Sequence, residues 1–349
     1  MMDKGSRGQG GSRGKGRGTG RATLEEVAGL AGVSIMTASR ALSQPQMVSD
    51  ATRAKVEQAV ATLGYVPNRA ARALASSQSH VIAVLVPSLS NAVFTAVLEG
   101  IHDAVGPGQY QLLIGNTHYS EAEEEKLLRT YLQSSPDGIL LSNLAHSPAV
   151  AAMLAASNVP AVSMMDLSDD PNVLSVGFSQ LDAGMAMTRH LIGRGYRRIG
   201  FIGAQLDERT LRRADGYRQA MREAGLFDQA LELMVPDPST IALGADLLKR
   251  MLEQVPDCDA VFCCNDDLAH GAVYHCQRHG IRIPQDVAVC GFNDLPASAW
   301  MMPSLTTIGT PRYRIGFEAA SLLLQLIRGG EPEQRRIDLG FSLQERESA

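Results

Sequence analysis

The spacing of apolar residues changes twice along the chain. After 22 residues with almost no apolar side chain, Leu24, Val27, Ala28 and Ala31 recur at helical spacing. They follow Thr23-Leu24-Glu25-Glu26, which reads as a capping box with Thr23 as N-cap and Glu26 at the third helical position. Ala31-Gly32-Val33 reads as a turn and Ser34 as the cap of a second helix over Ile35–Leu42. Ser49 opens a third helix whose apolar face (Val56, Ala59, Val60, Leu63) stops at Gly64. Three short helices, the first two joined by a Gly turn, form a helix-turn-helix module.

From Val81 onwards, apolar runs of strand length alternate with amphipathic helical stretches. A first set comprises Val81–Val86, Tyr110–Ile114, Gly138–Leu141 and Pro160–Met164. A second comprises Val173–Val176, Ile199–Ile202, Leu231–Val235, Ala260–Cys263 and Val287–Cys290. This alternation predicts doubly wound parallel sheets covered on both faces, and so many strands fit two α/β lobes better than one. Ligands in such folds sit at the carboxyl ends of the strands, here in the cleft between lobes.

Composition narrows the class. The chain has 349 residues, 45% of them apolar and 20% charged, which is globular and long enough for two or three domains. No apolar run reaches the ~18–20 residues of a bilayer crossing. The N-terminus lacks the apolar core of an export signal. Five cysteines (Cys258, Cys263, Cys264, Cys276, Cys290), an odd number, read as reduced thiols, so the expected location is the cytoplasm, in association with the nucleoid. The net charge of −5 hides an asymmetry: residues 1–80 carry eleven Lys/Arg against five Asp/Glu, and the remainder 21 against 32. A small basic module on a large acidic body suits a nucleic-acid binder with a regulatory domain. Residues 1–22, Gly-rich and basic, are expected to be disordered, serving either nonspecific phosphate contact or no purpose.

Specific motifs then carry a family resemblance. Thr23-Leu24-Glu25-Glu26-Val27-Ala28-Gly29-Leu30-Ala31-Gly32-Val33-Ser34, continued by Thr37-Ala38-Ser39-Arg40-Ala41-Leu42, resembles the signature of the lactose-repressor (LacI/GalR) family. Gly64-Tyr65-Val66-Pro67-Asn68 ahead of Ala70-Ala71-Arg72-Ala73-Leu74-Ala75 is similar to that family's hinge helix, and Leu305-Thr306-Thr307-Ile308 to its late crossover between lobes. Within the family, residues 203–210, 264–269 and 338–341 are most similar to gluconate-operon repressors. The resemblance implies a basic tail (1–22), a DNA-binding headpiece (23–67), a hinge helix and linker (68–79), and a two-lobed core like the periplasmic binding proteins. The expected lobes are 80–165 with 308–331 and 166–307 with 332–349. It also implies a homodimeric, cofactor-free repressor of a double-stranded DNA operator, controlled by a small-molecule effector.

On this reading the second helix lies in the major groove with Ile35, Met36 and Arg40 at base edges. Arg40 can donate two bonds to guanine, and Ile35 and Met36 can pack on thymine methyls. Filler in a small core is the alternative for Met36. Thr23, Ser34, Thr37 and Ser39 suit phosphates. Asn68 caps the hinge helix, Arg72 and Ala75 lie on it, and Leu74 is expected to wedge into the minor groove. In the core, the resemblance places a ligand-binding arginine at Arg213. Arg209, Asp166, Asn265, Asp266 and Asn293 all follow strands, with Ser90, Asn91 and Phe94 at the entry of the first lobe's first helix. Two arginines, and an amide at Asn293 where family members often carry aspartate, point to an anionic polyol. The resemblance narrows this to a six-carbon sugar acid: gluconate, 6-phosphogluconate or 2-ketogluconate.

Other signals carry less. Cys263 and Cys264, adjacent in a strand, face opposite ways and read as buried thiols. His275 and His279 read as solvated and Trp300, Met301 and Met302 as lobe packing, or a cleft rim for Trp300. No Walker loop, Ser-nucleophile elbow or dinucleotide-binding glycine motif is present, which argues against an enzyme. A sugar-binding transport receptor would share the core but not the basic module. A neutral-sugar effector and an activator remain open at this stage.

Overall fold

A computed structural model describes residues 22–66, 78–107 and 110–349, and the chain divides into two units at Ser77/Gln78. The expected tail and the expected hinge residues Asn68, Arg72, Leu74 and Ala75 lie outside the described residues, apart from Ala22.

The first unit holds α1 (Leu24–Ala31), α2 (Ile35–Ser43) and α3 (Asp50–Leu63), with a single 3-10 turn over Pro45–Met47. The capping box is formed: Glu26 N–H donates to Thr23 Oγ1 at 3.3 Å, and Thr23 N–H donates to the Glu26 carboxylate at 2.8 Å. Ser34 and Ser49 cap the next two helices by accepting from the amides of Thr37 and Thr52. The module is pinned by a small core of Val27, Ala28, Ala38, Ala41, Val56 and Ala59.

The second unit is built on two six-stranded sheets. In the first lobe are β1 (Val81–Val86), β2 (Gln111–Asn116), β3 (Gly138–Leu141), β4 (Ala161–Met164), β5 (Ser175–Gly177) and β11 (Arg336–Asp338). Their order is β11-β5-β4-β3-β1-β2, with every neighbouring pair parallel. The second lobe contains β6 (Ile199–Ala204), β7 (Glu232–Val235), β8 (Ala260–Cys263), β9 (Ala288–Asn293), β10 (Thr306–Gly309) and β12 (Ser342–Gln344), in the order β12-β10-β9-β8-β6-β7. Only β12 is antiparallel to its neighbour. The central strands are apolar and buried, as both-faces-covered parallel strands require.

Several expectations are corrected. The strand expected at Val173–Val176 belongs to the first sheet, not the second: Ser163 pairs with Ser175, so the chain leaves the first lobe after Gly177 rather than at residue 165. Ile308 and Gly309 stay in the second sheet opposite Phe292 and Asn293, so that crossing falls at Thr310–Pro311. Residues 332–349 divide between lobes, because β11 pairs with β5 while β12 pairs with β10. Alternation of period reports that a strand exists, and hydrogen-bond partners decide which sheet receives it. Trp300 and Met302 are 89% and 80% exposed, so they pack neither lobe.

Helices pack in pairs through reciprocal glycines. The pairs are α4 (Ala92–Val105) with α11 (Arg312–Ile327), α7 (Gln180–Gly193) with α8 (Glu208–Glu223), and α9 (Ile241–Gln254) with α10 (Asp266–His279). The remaining helices, α5 (Glu121–Leu132) and α6 (Pro148–Ser157), cover the other face of the first sheet. At each pair a side chain on either glycine would press into a backbone carbonyl opposite: Gly100 on Tyr313 and Gly316 on Val97, Gly184 on Arg213 and Gly216 on Leu181, Gly244 on Leu268 and Gly271 on Ile241. The contacts are main chain to main chain, so nothing flexible can give way. Gly216→Ala is therefore expected to cost about 1–3 kcal/mol or more, a fall of roughly 2–12 °C in Tm by calorimetry. Gly193→Ala on α7, where a side chain meets open space, is expected to be neutral or stabilising.

Candidate functional site

Two surfaces carry the chemistry, one in each unit. In the first, α2 buries Ala38 and Ala41 and turns its other face outwards. Ile35 and Met36 are 50% and 71% exposed, so Met36 is not core filler. With Leu24, Ser39, Arg40, Ser43 and Gln44 they line an open groove. Arg40 is exposed and forms no ion pair with any described residue, leaving its guanidinium available. Ser34 and Thr37 share a hydroxyl–hydroxyl bond of 2.8 Å at the amino end of α2, where exposed amides and the helix dipole favour a phosphate.

In the second unit a cavity of about 250 Å³ opens between the lobes. The first lobe contributes Tyr119, Glu121, Glu124, Ser142, Asn143, Ala145 and Asp166, among others, and the second Gln205, Leu206, Asp207, Glu208 and Arg209. Among the expected effector residues, Asp166 and Arg209 are in this wall. Phe94 stands against Arg209, whose guanidinium lies 5.2 Å from its ring centre. Asn91 caps α4 by accepting from Val93 N–H, and its side chain also bonds Tyr119. Ser90 is exposed beside Ser88 at 3.3 Å.

The two arginines differ sharply. Arg209 is closed on Asp207, with Nη2 to Oδ2 at 2.6 Å. Burial alone would raise the Asp207 carboxyl; Arg209 and the Thr210 amide outweigh it and hold it at about 2. Arg213 has no such partner. Its Nε donates to Gln180 Oε1 at 2.8 Å and its Nη1 to the Cys264 carbonyl at 2.7 Å, and the guanidinium stacks 3.8 Å from the Phe292 ring centre. It forms no ion pair with any described residue, and burial lowers it to about 10, so it stays charged at neutral pH.

Three further expectations change. Asp266 does not face the cleft: Oδ2 accepts from Leu295 N–H and Ser298 Oγ, and Oδ1 from Thr307 Oγ1, so it ties the start of α10 to the β9 and β10 ends. Asn265 caps α10 and is held by Ser239. Asn293 lies in a separate recess of about 330 Å³ at the crossovers, with Asp294, Arg312 and Phe341. Its carbonyl accepts from Arg312 Nη1 and Thr310 Oγ1. Sequence reasoning missed Gln180, Asp207 and Tyr119. A Ser-Gln helix start, an Asp cap and a loop Tyr have ordinary structural uses; the fold brings Asp207 and Tyr119 into the cavity lining, and Gln180 between Arg213 and the Met165 carbonyl. All five thiols are buried, with Cys258 pushed up to about 11 and Cys276 to about 12 by that burial. Among the described residues no cluster of His, Cys, Asp and Glu suits a metal ion.

Asp166 is the least satisfied group of the cavity. Oδ1 accepts from Leu167 N–H at 2.8 Å, but Oδ2 is buried without a hydrogen bond. Burial raises its pKa, against the opposing pull of the Leu167 amide and Arg212. A carboxyl raised on folding binds its proton more tightly in the folded protein, so its ionised form costs stability above the raised pKa, and the cost vanishes below the ordinary carboxylate value. Asp166→Asn is thus expected to stabilise the effector-free protein at pH 7 by about 1 kcal/mol, or roughly 2–4 °C. Melting curves from pH 7 towards pH 3 should show the gain shrinking, and vanishing below the ordinary carboxylate value.

Comparison with known proteins agrees with this architecture. Residues 23–68 match the model of bacterial regulatory proteins of the lacI family, and residues 188–349 that of the periplasmic binding protein-like domain. The HTH-type transcriptional regulator GntR of Pseudomonas aeruginosa is 50% identical over 95% of this chain and 97% of its own length. The crystal structure of transcription regulator GntR from Chromobacterium violaceum is 53% identical, covering 77% of this chain and 98% of that one, with a TM-score of 0.75. The Lac repressor dimer bound to operator is 28% identical over 94% of this chain and 99% of that one, with a TM-score of 0.83. A helix-turn-helix module joined to a two-lobed effector core of this kind is not an enzyme but a DNA-binding transcriptional regulator, and the chain belongs to the LacI family.

Proposed function

We propose that this chain is a homodimeric repressor in the cytoplasm, associated with the nucleoid, that binds a pseudo-palindromic operator and answers to a six-carbon sugar acid in the inter-lobe cleft. The observation that carries the effector class is Arg213, a buried cation in the same helix as the cavity-lining residue Arg209 but not itself in the cavity lining. It has no carboxylate in ion-pair contact among the described residues, although Asp207 acts on it through space. Such a charge is costly unless an anion joins it, and a guanidinium offers a planar, two-pronged donor to a carboxylate. Asp166 Oδ2, buried without a donor, is suited to a hydroxyl of the polyol chain. Gluconate, 6-phosphogluconate and 2-ketogluconate all combine the two features, and the similarity to the GntR regulators supports this group.

A second reading has its own support. Glu121, Glu124, Asp166, Asp207 and Glu208 all line the cavity, and that acidity favours a neutral sugar over an anion. Calorimetry decides between them. The three acids are expected to bind more tightly than glucose, ribose or hypoxanthine, and Arg213→Ala to weaken the preferred acid by about 1.5–3 kcal/mol, on the order of 10–150-fold. Tightest binding by glucose or ribose, or an unchanged affinity in Arg213→Ala, defeats the sugar-acid reading.

For DNA, Ile35, Met36 and Arg40 form the reading face of the proposal, with Thr23, Ser34, Thr37 and Ser39 at phosphates. Arg40→Ala is expected to cost about 1–3 kcal/mol of discrimination at one base pair per half-site. Fluorescence anisotropy on specific and random duplexes measures it, together with a steep fall of affinity with salt. The proposal gives Asn68, Arg72, Leu74 and Ala75 the hinge role. Leu74→Ala is then expected to weaken specific binding while sparing nonspecific binding, since a wedge acts only on kinked DNA. Equal loss on both duplexes excludes the wedge.

A further inference from the structure

The amino end of α8 reaches across the cleft. Its first two turns belong to the second lobe, yet three of their side chains hold groups of the first. Glu208 Oε2 accepts from the Ala145 N–H at 3.1 Å, beyond the end of β3. Arg212 Nε lies 3.4 Å from Asp166 Oδ2, beyond the end of β4, while its Nη2 donates to Glu208 Oε1 at 2.8 Å. One residue from Glu208, Arg209 lies over Phe94 of α4. The lobes are therefore bridged by a chain running Ala145 N–H, Glu208, Arg212, Asp166. Arg212 is not among the residues lining the cavity.

We propose that Glu208 and Arg212 form a cross-lobe latch that sets the balance between open and closed cleft, with Arg212 as a positioning residue acting on effector affinity through Asp166. The geometry suits that role. Arg212 is near enough to Asp166 to attract it but makes no hydrogen bond to Oδ2, which stays available to a ligand donor. The same arginine fixes the Glu208 carboxylate on the Ala145 amide. A ligand that needs the closed cleft binds with an apparent affinity scaled by the fraction already closed, so loss of the latch weakens binding without removing a ligand contact. Only this consequence for the effector rests on the sugar-acid reading; the latch itself does not.

The primary test needs no effector. In the full-length protein, hydrogen exchange followed by mass spectrometry reports the peptide bearing the Ala145 amide. Exchange there is expected to quicken at least tenfold in both Glu208→Ala and Arg212→Ala, while the β8 amides of Ala260–Cys263 keep their wild-type rates. If the β8 amides also quicken, the variant is opening globally. Glu208→Gln then carries the test: it keeps an acceptor for Ala145 but loses the ion pair, and its Ala145 exchange should quicken while β8 stays protected. Unchanged exchange at Ala145 overturns the latch. In the second arm, Arg212→Ala should bind gluconate about 5–20-fold more weakly by calorimetry, with slow exchange at Ala145 restored at saturation, as linkage requires. Weaker binding with Ala145 still fast at saturation makes Arg212 a direct ligand contact and also overturns the proposal. If the wild type binds none of gluconate, 6-phosphogluconate and 2-ketogluconate, the sugar-acid reading fails, and the exchange arm still judges the latch.

Discussion

The cleft depends on one close approach, where the backbones of α7 and α8 meet at Gly184 and Gly216. That contact presses the main chain of Arg213 against α7 and brings its guanidinium to Gln180, which sits on the same helix pair. Gln180 completes the arrangement: its Oε1 accepts from Arg213 and its Nε2 donates to the Met165 carbonyl at 2.7 Å, in the first lobe. The Cys264 carbonyl and the Phe292 ring close the remaining sides. A buried arginine held this way cannot swing out to water to recover its hydration. Its position is fixed in advance of any ligand contact.

Backbone strain collects in the same region. Of the ten non-glycine residues with positive φ among those described, seven follow strands that end at the cleft or the crossovers: His118, Tyr119, Met165, Gln205, Leu206, Asn293 and Asp294. Tyr119, Gln205 and Leu206 line the cavity itself. Each such conformation costs of the order of 1–3 kcal/mol and persists only where its surroundings fix it. Here the fixing is visible: Gln205 N–H donates to the Asp237 carbonyl, Met165 N–H to the Val176 carbonyl, and Arg312 grips the Asn293 and Asp294 carbonyls. The strand ends are bent sharply so that side chains meet across the lobes.

How much of this was legible follows from the range of each signal. The Thr23 box, the Ser34 and Ser49 caps and the glycine stops are written within four residues of one another, and they read directly. The central strands are apolar on both faces and read as uninterrupted runs. Arg336–Asp338 could not be read, because a three-residue edge strand with two charged residues has no period to detect. The site was legible by type but not by partner. Asp166, Asp207 and Asp266 all lie two or three residues after a strand, yet one has an oxygen without a hydrogen-bond donor, one is closed on an arginine two residues away, and one accepts three bonds from the β9 and β10 region. Those partners lie up to 41 residues away in sequence, and only the folded chain brings them together.

Two imperfectly satisfied groups of opposite sign thus lie one in each lobe, Arg213 outside the cavity lining and Asp166 in it. On the second lobe, Arg213 is a cation with no carboxylate in ion-pair contact among the described residues, Asp207 acting on it through space; on the first, Asp166 has an acceptor lacking a hydrogen-bond donor. They do not repair each other: Arg213 is committed to Gln180 and Cys264, and it feels Asp207 through space more strongly than Asp166. A bare anion would satisfy the first and leave the second. A neutral sugar would satisfy the second and leave a buried charge unpaired, the more expensive omission. On the proposed reading, a molecule with a carboxylate at one end and hydroxyls along its chain suits both groups, and a ligand that engages both lobes binds more tightly when they are closed. Selectivity and conformational response then have one origin, which is what a regulator needs if ligand binding is to bias its shape.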